Sequence, residues 1–357
     1  MTGGSETTAT TPRSICERYS DDTYARMRDD GERTAAYRAA IATAAPGRVC
    51  LDVGTGALAL LAVMAAQAGA AHVYALEANP TAAEAARAHV AGLGLASRIT
   101  VITGYSTDVE LPERAHLLLH EILGEVAGAE GVARAITDAA KRHVAARGAD
   151  AAGSEAPLSV PALARSLLAP AEFPAADYFA SLPYPMLSAP GATSLKLPSL
   201  PRGTLLAAAQ PFEELDFEAL SPRADQDERL VFAIERAGVL RGLAVHIEVL
   251  MPHAAHVAAA DTGIDISSAR PGSHWPNVLL LLPNEVAVSV GDRLLVRTKA
   301  RLASEEPTYR FEVHLLAQLQ HDDEGHDAAL PVRGDDGGAD RSGETETGRL
   351  LGEISYP

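Results

Sequence analysis

The run Val49-Cys50-Leu51-Asp52-Val53-Gly54-Thr55-Gly56 constrains the fold more than any other stretch of this chain. Five residues with the pattern of a buried strand end in two glycines, and residues 58–68 then read as a helix. The same change of texture recurs downstream. Residues 73–77, 99–103 and 117–120 read as strands, and 80–93 and 131–146 as helices. This alternation predicts a parallel, doubly wound sheet. Ligands on such sheets bind beyond the carboxyl ends of the strands, which is where the glycines fall. Ahead of the sheet, residues 14–45 read as helical: Tyr24, Met27 and Gly31 lie near one face, and good helix formers fill 33–44 until Gly47.

Gly, Ala and Pro crowd residues 147–157 and mark a boundary, so the domain carrying the sheet is placed at 14–150. Short apolar stretches follow at 163–168, 204–209, 229–234, 243–250, 278–282, 293–300 and 309–316, separated by turn residues. They predict an antiparallel barrel or sandwich over 151–320. Residues 173–201 are Pro-rich and read as an arm or excursion. Residues 1–13 read as disordered, 321–348 as an acidic low-complexity segment, and 349–357 as a C-terminal segment.

Composition narrows the function classes. A net charge of −17 argues against a general nucleic-acid binder and suits a cationic ligand or peptide. Cys16 and Cys50 are the only cysteines, too few for a disulfide scaffold or a Cys-rich zinc site, and the histidines lack metal-ligand spacing. No apolar run approaches the roughly 20 residues of a membrane span. The first residues carry neither an apolar signal core nor a basic leader, so a cytoplasmic enzyme is expected.

Gly54 and Gly56 allow close backbone approach to a ligand before a helix N-terminus, although the third glycine of a dinucleotide fingerprint is missing. Asp52 is placed to receive a ligand amine or to hold the loop itself. Glu77, at the end of the second strand, is placed to accept two ribose hydroxyls, or else is a solvated strand end. After the apolar run 115–119 comes His120-Glu121-Ile122-Leu123-Gly124-Glu125-Val126-Ala127-Gly128-Ala129-Glu130-Gly131. Two of its carboxylates, Glu121 and Glu130, can clamp the fork of donors on a planar cation, or are loop acids facing water.

LDVGTG, YALEANP, GYSTDVELPE and HEILGEVAGAEG together resemble the protein arginine methyltransferases. Residues 24–33 look like that family's cofactor-covering helix, and Gly272-Ser273-His274-Trp275 is similar to its Thr-His-Trp loop. The resemblance runs in order over about residues 15–320. It implies a Rossmann-like class I methyltransferase domain followed by an antiparallel β-barrel domain, S-adenosyl-L-methionine as cofactor, and a homodimer. It assigns Met27 and Arg33 to the cofactor, with Asp52, Gly54, Gly56, Glu77, Ser106 and Thr107, and Glu121 and Glu130 to the substrate guanidinium. His274 is a candidate proton relay with Asp30 as its partner, though a His-Trp pair in a loop is as often structural. Trp275 is expected at the substrate mouth.

The chain departs from the family pattern in three places. Leu58 stands where the glycine loop usually ends in Gly. The N-terminal Tyr-Phe pair of asymmetric dimethylating members is absent. Ser106-Thr107 occupy the place of a glutamate facing adenine, which points to monomethylation. The acidic, Ala-rich composition suggests a bacterial source and therefore free L-arginine or a small arginine-containing metabolite of natural-product biosynthesis as substrate. An arginine in a protein or peptide is the alternative, and a non-catalytic cofactor-binding regulatory module is the second.

Overall fold

The computed structural model describes residues 21–148, 156–181, 192–201, 203–252, 266–304, 306–316 and 348–356. The expectations for 1–13 and for nearly all of 321–348 lie outside these residues. The first half contains α1 (Asp21–Asp29), α2 (Gly31–Ala44), β1 (Val49–Val53), α3 (Leu60–Ala68), β2 (His72–Glu77), α4 (Pro80–Gly92), β3 (Ile99–Thr103), β4 (Leu117–His120), α5 (Val132–His143) and β5 (Ser159–Val160). Its five strands form one parallel sheet in the order β3-β2-β1-β4-β5. Every residue of β1 and β4 is buried. Strands covered on both faces read as unbroken apolar runs, which is why Asp52 inside β1 stands out.

Local chemistry sets the helix boundaries. Asn79 caps α4 by accepting from the Thr81 and Ala82 amides at 2.9 and 3.2 Å, with Pro80 in the first turn. The stretch 14–45 that reads as helical holds two helices over its described part. Asp30 has extended backbone and its carboxylate accepts from the Arg33 amide at 3.2 Å, so it ends α1 and caps α2. Helix α3 starts later than expected because Ala59 is left-handed, with φ 45°.

The second half contains β6 (Leu163–Ala171), α6 (Ala176–Ser181), β7 (Ser194–Leu197), β8 (Gln210–Asp216), β9 (Asp225–Ala233), β10 (Gly238–Leu250), β11 (Ile266–Ser267), β12 (Asn277–Val288), β13 (Arg293–Arg301), β14 (Thr308–Leu316) and β15 (Gly348–Tyr356). Two antiparallel sheets result, β7-β12-β10-β6-β8 with β11 on β10, and β15-β14-β13-β9. Contacts of β8 with β9 and of β12 with β15 bring the sheets together at their edges, giving a barrel-like body. Phe212, Phe217, Phe232 and Phe311 fill its core, each 1% exposed or less.

The structure overturns the strand expected at 204–209 and gives form to parts of two other stretches. Residues 204–209 hold no strand beyond an isolated bridge from Leu205 to Ala171, and β8 begins just after them. The Pro-rich stretch 173–201 supplies α6 and β7, and β7 pairs with β12 inside a sheet. The C-terminal segment is a full strand, β15, antiparallel to β14.

Candidate active site

A cavity opens at the carboxyl end of β1. It is lined by Tyr24 and Met27 of α1, by Arg33 of α2, by Asp52, by the loop carrying Gly54, Thr55, Gly56 and Leu58, and by Glu121. Gly54 and Gly56 have φ of 74° and 66°. A Cβ on Gly54 would lie 2.5 Å from Ile122 Cγ2, and one on Gly56 would lie 2.6 Å from Tyr24 Cε1. Both the backbone shape and the space therefore require glycine at these positions.

Asp52 and Arg33 of this cavity, and Glu77 bonded to its glycine loop, keep unused bonding capacity. Asp52 Oδ2 accepts from the Thr55 hydroxyl at 2.5 Å and the Ala62 amide at 3.1 Å. Its Oδ1 is buried without a hydrogen-bond partner among the described residues, as is Arg33 Nε. Burial pushes the Asp52 carboxyl up to about 7, against the Thr55 and Ala62 hydrogen bonds. Glu77 accepts from the Gly56 amide at 2.8 Å through one oxygen and from the Asn79 amide at 2.9 Å through the other. Burial raises its pKa against those same bonds. The Ala78 amide adds a third bond, and the carboxylate keeps acceptor capacity beyond these.

A buried polar chain joins the two halves beside this cavity. Asp30 Oδ2 accepts from the His274 amide at 3.0 Å and lies 2.9 Å from His274 Nδ1. His274 Nε2 is 4.0 Å from Glu121 Oε2, and that oxygen accepts from Arg33 Nη2. Arg33 also donates to the Met27 carbonyl at 3.2 Å and stands 5.2 Å from the Tyr37 ring centroid. Burial by itself raises the Asp30 pKa, but its bonds from the His274 ring and amide and the Arg33 amide outweigh that and hold it below the usual range. For Arg33, burial opposes the charge while the field of Glu121 more than restores it, so the guanidinium stays firmly cationic.

The loop between Glu121 and Glu130 is fastened from the barrel side at four points. Trp275 Nε1 donates to the Leu123 carbonyl at 2.9 Å. Glu125 is held by Lys196 of β7 and the Tyr356 hydroxyl of β15. The Ala127 amide donates to Ser166 Oγ of β6 at 2.8 Å, and the Gly128 amide to Glu213 Oε2 of β8 at 3.3 Å.

Of the residues singled out in the sequence, Met27, Arg33, Asp52, Gly54, Gly56 and Glu121 share the cavity wall, with Glu77 hydrogen-bonded to the Gly56 amide and Asp30 and His274 bonded alongside. Glu130 sits at the far end of the fastened loop, its Cγ 3.4 Å from where a Cβ on Gly124 would be. Ser106 and Thr107 do not line the cavity: the Ser106 carbonyl lies 2.9 Å from His143 Nε2, and Thr107 donates to Asp108 at 3.0 Å. Trp275 is 3% exposed and packs 4.2 Å from the His274 ring centroid, so it braces the loop from inside. Sequence reasoning did not assign a site role to Tyr24, Leu58, Ser166, Lys196, Glu213 or Tyr356. Tyr24 and Leu58 were within reach, lying in the stretches that carry the resemblance. The others sit on barrel strands far from the loop in sequence and carry no local signal.

The fold recurs in solved structures. Protein arginine methyltransferase 10 of Arabidopsis thaliana superimposes with a TM-score of 0.67 over 93% of this chain and 96% of that one, at 19% identity. A Trypanosoma brucei PRMT1 enzyme–prozyme heterotetrameric complex with AdoHcy gives 0.62 over 83% and 93%, at 20% identity. The fold is that of the protein arginine methyltransferases. Sequence relatives carry the same family name. The probable histone-arginine methyltransferase 1.3 of Arabidopsis thaliana is 30% identical over 308 residues, which is 82% of this chain. This chain spans 56% of that relative's own length. A protein arginine N-methyltransferase PRMT10 of Oryza sativa subsp. japonica is 45% identical over 78 residues. No family model matches the chain. The cavity at β1 lies at the strand ends, where parallel sheets of this kind bind ligands.

Proposed function

We propose that this protein transfers a methyl group from S-adenosyl-L-methionine to a guanidino nitrogen of arginine within a protein or peptide. The observation that carries the reading is Glu121 on the wall of the β1 cavity, paired with Arg33 and 4.0 Å from His274 Nε2. One acid thereby sits where a cofactor and a cationic acceptor would meet. The donor set fits that cofactor: Asp52 Oδ1 is a free acceptor for an ammonium, Arg33 a cation for a carboxylate, and Glu77 a carboxylate with lone pairs for a ribose diol. Bound there, the cofactor supplies an electrophilic methyl on a sulfonium.

The remaining chemistry falls to the protein. A guanidinium arrives cationic, since its pKa exceeds 12. Glu121 and Glu130 accept hydrogen bonds from its nitrogens, draw its positive charge away from the attacking one and fix that nitrogen's direction. When the nitrogen takes the methyl, the methyl–sulfur bond would break to leave a neutral thioether, and the methylated guanidinium would then shed a proton from nitrogen. Glu121 is placed to take it and to pass it toward His274, with Asp30 holding the imidazole through Nδ1.

The curated relatives are named for histone or protein arginine, and this favours a polypeptide substrate over the free L-arginine expected from composition. The missing Tyr-Phe pair and Ser106-Thr107 support a single methyl per guanidine. A homodimer belongs to the same proposal, and light scattering tests it. The experiment for the activity supplies labelled S-adenosyl-L-methionine with an arginine-rich peptide or with free arginine, and weighs the products. Label on the peptide with a gain of one methyl is expected. Label on free arginine alone would restore the small-substrate reading, and label on neither would leave a cofactor-binding module.

A further inference from the structure

Ser166, Glu213 and Tyr309 form a buried polar cluster inside the barrel that the proposed chemistry does not use. Glu213 is 1% exposed and Ser166 0%. The Glu213 carboxylate accepts from Ser166 Oγ at 2.5 Å and from the Tyr309 hydroxyl at 2.8 Å. The same carboxylate accepts from the Gly128 amide, while Ser166 Oγ accepts from the Ala127 amide. A carboxylate in an apolar barrel is costly unless it is hydrogen-bonded, and here three donors meet it. Two of those bonds, one direct and one through Ser166, end on consecutive amides of the loop, just ahead of Glu130.

Gly128 is the second half of the device. A Cβ there would collide with Glu213 Oε1 and come within 2.7 Å of the Tyr309 hydroxyl. Its φ is not in the left-handed region, so the glycine is required by closeness alone. The loop is pressed directly onto the cluster, and Glu130 follows two residues later.

We propose that Glu213, with Ser166, is a positioning residue that fixes the backbone at Ala127 and Gly128 and thereby sets where Glu130 meets the substrate guanidinium. This rests on the methyltransferase reading for its catalytic consequence, but the anchoring itself does not. Displacing a catalytic group by about 1 Å costs on the order of a hundredfold in rate, so loss of the anchor is felt in kcat.

The test compares the full-length protein with Ser166→Ala and Glu213→Gln. Gln keeps one acceptor oxygen and presents an NH₂ where a donor already points. Amide exchange in the segment 122–131 is read first, without any substrate, and should quicken by about tenfold or more in both variants. Unchanged exchange overturns the proposal whether or not the protein is active. Turnover on an arginine peptide is read second: kcat should fall on the order of 10- to 100-fold while titrated cofactor affinity, read below the melting range of each variant, holds. Unchanged kcat, or a fall that runs parallel with cofactor affinity, also overturns it. An inactive wild-type protein would refute the methyltransferase reading instead, leaving the exchange result to decide the anchor.

Discussion

Asp30 and His274 stand 244 positions apart and meet at 2.9 Å, with the aspartate also accepting the histidine's own amide. One carboxylate therefore caps α2 with one oxygen and fixes the His274 loop with the other. Its two tasks can be separated by substitution. Asn caps a helix as well as Asp. Asp30→Asn should therefore keep the α2 cap but turn an NH₂ toward the His274 amide, lowering the melting midpoint modestly and kcat by about a hundredfold through loss of the charge beside His274. Steady-state kinetics paired with thermal melting decide it, and unaltered turnover would remove Asp30 from the relay.

Glu121 and Glu130 are unequal partners, although both were expected to clamp the substrate. Glu121 neutralises Arg33, and both side chains are under 5% exposed. Glu121→Gln leaves a buried cation with an impaired partner, so it should cost up to about 3 kcal/mol of stability and weaken the cofactor site as well as halt turnover. Glu130→Gln should halt turnover alone. Denaturant unfolding and cofactor titration on the two variants separate these outcomes; equal stability of both would contradict the buried pairing.

Glu77 touches the glycine loop as well as the proposed ribose. Glu77→Ala removes its charge-assisted hydrogen bonds to backbone amides and the diol acceptor. Cofactor affinity should fall by about 10- to 100-fold, read by calorimetric titration. An unchanged dissociation constant would exclude the ribose role.

His120 gives a pH signature. Its ring is fully buried, packs edge-on against Phe217 at 4.4 Å between centroids, and has no partner on either nitrogen among the described residues. Burial pushes its pKa from 6.5 down to about 3. The unfolded chain takes up a proton below pH 6.5 that the folded one refuses, so stability drops as pH falls from about 6.5 toward 3, by about 1.4 kcal/mol per pH unit for this group. The buried Asp52 acts in the opposite sense, since its raised value makes the folded state bind the proton first. The His120→Leu variant isolates the histidine: its advantage over wild type should widen as pH is lowered from 7 to 5 in urea unfolding. A constant difference would refute the assignment.

The sheet was legible because strands covered on both faces leave continuous apolar runs, and Asn79-Pro80 announces α4 within two residues. The barrel was less so. Strand β8, Gln210-Pro211-Phe212-Glu213-Glu214-Leu215-Asp216, does not look like a strand because its inward Glu213 is satisfied by Ser166, Gly128 and Tyr309, which lie 47, 85 and 96 positions away. Strand β15 follows directly on an acidic, Gly-rich stretch and takes its identity from pairing with β14. In the candidate site, glycines and acids beside strand ends could be recognised locally. The fasteners of the loop could not, because each becomes meaningful only when the barrel closes.

Those four fasteners tie the reactivity of one half to the construction of the other. A hybrid that joined this parallel-sheet half to the barrel of a distant relative would bring its cofactor cavity across nearly whole, since most of its lining precedes Ala127. It would leave Ala127 and Gly128 without receivers and Glu125 without Lys196 and Tyr356. Such a hybrid should load its methyl donor and still fail to spend it, so the two halves are constrained to change together during descent.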